Sequence, residues 1–290
     1  MFKRILFIGL AAVIGGGVAT VQRLISDPAP QLSINKVKDD LYNIEGDGGN
    51  VAVFVTNEGV ILVDDKYDHD HDALLAQIRS VTTQPVRYII NTHYHADHAS
   101  GNARFLPVAE IISTANARTN ILEHKQPNAP PGAAPARVVF TDETAVFLGG
   151  KEVRARYFGR GHTNGDAIIY FPEQRTIHTG DLMPGTTPLV DYNGGGSIVE
   201  WTKTLDAVMK LDFDTVIPGH GPVTDKAGLL TFRNNVEKLR NGVAGLIRQG
   251  KGAEDVRHFL SADYGWAPDS TNMQWDVPGF MTELKPTRTE

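Results

Sequence analysis

One stretch constrains this chain more than any other: Thr92-His93-Tyr94-His95-Ala96-Asp97-His98. His93, His95, Asp97 and His98 can all bind a metal. They follow an apolar run from Val86 to Ile90 that reads as a buried strand. Two imidazoles spaced two residues apart fall on one side of a strand, and they can converge in the same way in a loop after it. Three further candidate ligands follow at wide intervals: His162 in Gly161-His162-Thr163, Asp181 in Thr179-Gly180-Asp181, and His220 in Pro218-Gly219-His220-Gly221. Each comes after an apolar run, so strand ends opening on a common edge would gather them. The chain has no cysteine. That excludes disulfides, thiolate nucleophiles and cysteine-based zinc sites, and leaves histidine and carboxylate as ligands. The Asp97-His98 pair is placed to turn toward a second ion. Two ions roughly 3.5–4 Å apart are the usual arrangement in binuclear hydrolytic centres.

The rest of the chain reads as one exported globular domain. Met1-Phe2-Lys3-Arg4 is basic, Ile5 to Ala19 carries no charge, and Gly17-Val18-Ala19 supplies small residues for cleavage. This is the layout of a signal peptide over residues 1–26, with an uncleaved anchor as the alternative. The expected location is therefore periplasmic or secreted, or membrane-anchored and facing away from the cytoplasm. Residues 27–290 form the expected domain. A net charge of −6 argues against nucleic acid as a partner. The expected partner is a small-molecule substrate, with membrane contact only if the N-terminal segment is retained.

Residues 27–36 carry Pro28 and Pro30 and read as a linker. Strands are expected at 37–44, 50–56 and 60–63, with a turn at Gly46-Asp47-Gly48-Gly49 between the first two. An amphipathic helix is expected from about Asp70 to Val81. The tract Tyr67-Asp68-His69-Asp70-His71-Asp72 reads as its acidic start, with a second metal tract as the alternative. A short strand at Ile111-Ile112 and a helix to about His124 follow. The Pro/Ala-rich segment 126–136 reads as a surface loop. Strands resume at 138–140, 145–148, 153–158, 167–171 and 176–179. A helix at about 197–211, a final strand at 215–217 and a mostly helical tail over 225–260 complete the chain. Strands, helices, strands, helices suit a layered α/β (α+β) sandwich with sheets inside and helices outside.

The four motifs together resemble those of the metallo-β-lactamase superfamily, over about residues 37–240. The resemblance implies a four-layer αββα sandwich with metals at one edge. It implies that His93, His95 and His162 hold a first ion, that Asp97, His98 and His220 hold a second, and that Asp181 bridges both, as in glyoxalase II-like members. Asp64, in Leu62-Val63-Asp64, matches a carboxylate that orients the ligand loop. Nitrogen and oxygen donors suit two zinc ions, with iron or manganese as alternatives. The expected chemistry is attack by a metal-bound hydroxide on an ester, lactone, thioester or amide, with Asp97 as the catalytic carboxylate that orients it and carries a proton. No Gly-x-Ser-x-Gly elbow occurs, so no serine nucleophile is called for.

The substrate is less legible. Members that cleave β-lactams often carry a lysine shortly after the Asp181 position, where this chain has Leu182-Met183-Pro184-Gly185. A bridging aspartate is also unusual among them. β-Lactam hydrolysis is therefore an alternative, as is an iron-dependent, persulfide-oxidising relative. Tyr94, Asp191, Tyr192 and Asn193 lie near ligand motifs and are the candidate substrate-pocket residues.

Overall fold

The computed structural model describes residues 31–126 and 134–285. The N-terminal segment and most of the Pro/Ala-rich segment lie outside the described residues. Among the described residues, no helix is long and apolar enough to cross a membrane.

Two sheets form the centre. The first has seven strands in sequential order: β1 (Ser33–Lys38), β2 (Leu41–Glu45), β3 (Val51–Val55), β4 (Val60–Val63), β5 (Val86–Ile90), β6 (Glu110–Thr114) and β7 (Val138–Phe140). It is antiparallel from β1 to β4 and parallel from β4 to β7. The second holds β8 (Glu143–Leu148), β9 (Lys151–Tyr157), β10 (Ala167–Phe171), β11 (Thr176–His178), β12 (Thr215–Ile217) and β13 (Thr224–Asp225), also in sequential order. Only β11 and β12 pair in parallel within it. The helices are α1 (His71–Val81), α2 (Ala96–Ala99), α3 (Asn102–Phe105), α4 (Ala115–Leu122), α5 (Ile198–Val208), α6 (Lys226–Arg248), α7 (Ala253–Tyr264) and α8 (Thr271–Glu283).

Side-chain alternation along the strands builds the layers. In β4, Ile61 and Val63 join Phe54, Ile90 and Ile112 against Val153, Ile169 and Phe171 of the second sheet. Phe54 and Phe171 meet edge to face, with ring centroids 5.2 Å apart. Val60 and Leu62 point the other way and pack with Leu74 and Ile78 of α1. The whole of β4 is buried, as a strand covered on both faces must be. The outer face of the second sheet, through Ile168, Ile177 and Val216, packs against α5 to α8. Leu229, Phe232, Val236 and Leu239 form the buried stripe of α6. The layers therefore run helix, sheet, sheet, helix.

Four expectations need correction. The residues read as a linker include β1, which pairs with β2 from Ser33 onward. The single strand expected over 37–44 is instead a hairpin, turned at Asp40 with φ 61°. Aspartate tolerates that left-handed backbone, and the apolar pattern on both sides hides the turn. β12 is not the last strand, because β13 follows it, and α8 was not expected at all. Pro278 and Gly279 interrupt the periodic pattern of α8 although its Met273, Val277 and Phe280 are buried.

Candidate metal centre

The fold brings every candidate ligand to one edge. β5 ends at Ile90 and delivers Thr92 to His95, and α2 carries Asp97 and His98. His162 lies between β9 and β10, Asp181 follows β11 in a 3-10 turn over Gly180–Leu182, and His220 follows β12. The loop after β5 is tied to the second sheet, where the Ala167 N–H donates to the Thr92 carbonyl at 2.7 Å.

Two donor groups result. One contains His93, His95, His162 and Asp181; the other contains Asp97, His98 and His220. Within each, the donor atoms all lie within 4.8 Å of one another. His95 Nδ1 faces His162 Nε2 at 3.0 Å. The far nitrogens of both rings are engaged: His95 Nε2 with Asp191 Oδ2 at 2.9 Å, and His162 Nδ1 with the Leu189 carbonyl at 2.6 Å. When those far N–H groups donate, two lone pairs point at each other, an arrangement that calls for a shared cation.

Asp181 stands between the groups. Its Oδ2 lies 4.0 Å from His93 Nε2 and 3.7 Å from His162 Nε2. Its Oδ1 lies 3.3 Å from His98 Nε2 and 3.5 Å from His220 Nε2. His93 Nε2 and Asp181 Oδ1 are both buried with no hydrogen-bond partner among the described residues. Buried polar atoms are rarely left so. Together with an all-nitrogen-and-oxygen donor set, these orphaned atoms fit divalent cations.

The electrostatics differ between the groups. Burial, reinforced by neighbouring imidazoles, holds His93 below its ordinary value and His162 down at about 4. These rings are neutral, as ligands must be. Burial opposes the charge on Asp181, but the imidazoles of His98 and His220 outweigh it and hold the carboxyl well below the usual range. The same balance, with His98 dominant, holds Asp97 low.

Asp64 is completely buried behind this edge. Its Oδ1 accepts the Thr92 N–H at 2.7 Å, and its Oδ2 accepts the Thr92 hydroxyl at 2.8 Å and faces His98 Nδ1 at 2.8 Å. This leaves His98 Nε2 toward Asp97, Asp181 and His220. Asp64 adopts φ 63°, a strained backbone for a non-glycine residue.

The expected substrate residues are placed otherwise. Tyr94 and Asp191 are buried, the Tyr94 hydroxyl donates to Asp191 Oδ2, and the same oxygen holds His95. They sit behind a candidate ligand, with their polar atoms turned to each other and to His95. Tyr192 donates to Glu283 Oε2 at 2.9 Å and packs against Gly279 and Phe280 of α8. Asn193 is exposed. A cleft of about 270 Å³ opens beside His220, with walls that include Met183, Gly185, Thr186, Pro218 and Phe232. Phe232 read as core because it lies on the apolar stripe of α6. Nothing local to it marks a cleft wall, since the opening depends on the chain after β11 folding over that helix.

The sequence model of the metallo-beta-lactamase superfamily matches residues 44–220. The chain is 26% identical over 176 residues to metallo-beta-lactamase IND-1 of Chryseobacterium indologenes, covering 59% of this chain and 71% of that one. It is 28% identical over 193 residues to a metallo-beta-lactamase type 2 of Bacillus sp. (strain 170), covering 65% and 73%. A solved metallo-beta-lactamase from Pontibacter korlensis superposes with TM-score 0.62 at 19% identity, covering 71% of this chain and 99% of that one. The DIM-1 metallo-beta-lactamase superposes with TM-score 0.62 at 22% identity, covering 72% and 98%. At such identities the solved structures speak for the fold, which is the αββα sandwich. On the family match, this chain belongs to the metallo-beta-lactamase superfamily and is a metal-dependent hydrolase.

Proposed function

We propose that this protein is an exported binuclear hydrolase that cleaves a carbonyl substrate of the ester, lactone, thioester or amide type. The observation that carries the reading is the position of Asp181, with one oxygen toward each donor group. A carboxylate so placed suits a bridge between two ions. His93, His95 and His162 would hold one, and Asp97, His98 and His220 the other. Zinc suits the donor set, with iron or manganese as alternatives. The chemistry supplied by two bound divalent ions is polarisation of a carbonyl and a lowered pKa for water.

The chain's own residues do the rest. Asp64, Asp191 and the Leu189 carbonyl fix the ring orientations of His98, His95 and His162. Thr92 Oγ1 lies 3.1 Å from His93 Nδ1 and steadies that ring. Asp97 is partly exposed and its Oδ2 lies 3.2 Å from His220 Nε2. Its carboxylate is thus at hand to orient a nucleophilic water and to receive its proton at Oδ2. The cleft beside His220 would take the substrate. The walls of that cleft are mostly apolar and include no lysine or arginine, which favours a neutral, partly apolar substrate.

β-Lactam hydrolysis is a second reading, favoured by relatives that bear the name metallo-beta-lactamase. A panel of esters, lactones, thioesters and β-lactams separates the two, using metal-analysed protein with His95→Ala as control. Preferential turnover of uncharged esters or lactones supports the first reading. Preferential turnover of carboxylated β-lactams replaces it with the second, and activity retained in His95→Ala rejects both. Export rests on the N-terminal sequence from Met1 to Ala19. Fractionation of cells expressing the full chain tests it, with a cytoplasmic product as the contrary result.

A further inference from the structure

A third cluster of metal-binding side chains lies outside the two groups described above. Asp47 belongs to the loop over Gly46–Gly49, while His69 and Asp70 belong to the short 3-10 turn Asp68–Asp70 that precedes α1. His69 Nε2 lies 3.0 Å from Asp47 Oδ2 and 3.9 Å from Asp70 Oδ2. Donor atoms of the three residues all lie within 4.8 Å of one another. Tyr67 stacks on the His69 ring, with centroids 5.1 Å apart and planes 13° from parallel, so the imidazole is held in its direction.

Asp70 is the observation that needs a ligand. Its side chain is fully buried, yet neither carboxylate oxygen has a hydrogen-bond partner among the described residues. Burying a carboxylate without partners is costly, so such groups are paired or bound to a metal. The nearby cation, Lys66, favours the Asp70 charge only from a distance. Lys66 Nζ is committed to the carbonyls of Asp47 and Gly49, at 2.7 and 2.6 Å. A proton or a shared cation would satisfy the Asp70 oxygens.

We infer that Asp47, His69 and Asp70 form a further divalent-cation site. Two carboxylates and a neutral imidazole balance a doubly charged ion, and this mixed nitrogen and oxygen set suits zinc. His69 and Asp47 are largely exposed, so the ion has a way in and water completes its shell. The site would pin the loop over Gly46–Gly49 to the turn before α1. That loop reaches the metal centre, because the Gly49 N–H donates to the Asp97 carbonyl at 3.0 Å. A methyl group added at Gly48 would lie 3.0 Å from the same carbonyl and 3.3 Å from the Tyr67 ring, so the contact is close. The ion thereby positions the backbone of Asp97.

Equilibrium dialysis of the full chain against a buffered series of free zinc tests this, with zinc per chain measured by mass spectrometry. His69→Gln and Asp47→Asn alter exposed side chains and leave the packed core alone. Each is expected to bind one zinc fewer per chain than wild type. The loss should not deepen when the two are combined, and it should add to the loss caused by His95→Ala. Wild-type isotherms for both single variants would overturn the inference and leave Asp70 protonated. The central site is tested separately in the same assay. If His95→Ala binds as much zinc as wild type while His69→Gln loses one equivalent, the proposed function fails and this site stands.

Discussion

Asp64 and His98 meet as a fully buried carboxylate and imidazole, with Oδ2 2.8 Å from Nδ1. Asp64 also receives both the N–H and the hydroxyl of Thr92. One side chain thus fixes the ring of His98 and the start of the loop that carries His93 and His95.

Asp64→Asn keeps the shape of the side chain but removes its charge and one acceptor. Zinc affinity at the group containing His98 is expected to fall about 10- to 100-fold, the usual cost of losing a partner behind a ligand. Competition with a chromophoric chelator measures it. Unchanged affinity would mean that His98 is oriented by other contacts.

Asp191 supports His95 in the same way, through the oxygen that also accepts from Tyr94. Asp191→Ala is expected to lower kcat/KM by about 10- to 100-fold. Tyr94→Phe removes only the outer hydrogen bond and is expected to cost about 1 kcal/mol of stability, with a smaller effect on turnover. Steady-state kinetics and thermal melts on both variants separate the two roles.

How much of this could be read in the sequence depended on the range of the interaction. The candidate ligands were visible because histidine and aspartate beside strand ends are chemically distinctive. Their division between two ions follows the family resemblance, and the donor atoms within each group lie within 4.8 Å of one another. Asp64 was recognised only through the same resemblance, since its partner Thr92 lies 28 residues away. Tyr94 and Asp191 were singled out for a different task. Proximity to a motif does not reveal whether a side chain turns toward solvent or behind a ligand, and these two are separated by 97 residues. The cleft beside His220 was not legible, because its walls come from the segment after β11 and from the stripe of α6. The hairpin at Asp40 is hidden by the apolar pattern on both sides of its turn, and the last helix by Pro278 and Gly279, which interrupt its buried stripe.

Gly219 offers a way to disturb Asp181 without touching a ligand. A Cβ there would lie 1.9 Å from Asp181 Oδ1 and 2.7 Å from the Gly180 backbone. Gly219→Ala is expected to displace the carboxylate and weaken zinc binding at both groups together, with far-UV circular dichroism retained. Weakening at one group alone would show that Asp181 does not serve both.

The cleft beside His220 predicts substrate charge preference. With no lysine or arginine among its lining residues, uncharged substrates should be preferred over carboxylated ones of similar size. Thr186→Lys places a cation at its wall. It should raise kcat/KM for carboxylated substrates by about 2- to 5-fold, as a partly exposed ion pair allows, and leave neutral esters nearly unchanged. An equal change for both classes would place the substrate elsewhere.

On the proposed function, the residues around Asp181 hold two ions that together carry out hydrolysis. Zinc titrated into chelator-stripped protein, with turnover of the best panel substrate read at each addition, tests it most directly. No turnover is expected in stripped protein, full turnover only when both groups are filled, and none in His95→Ala at any zinc concentration. Full turnover in stripped protein, or in His95→Ala, would contradict it.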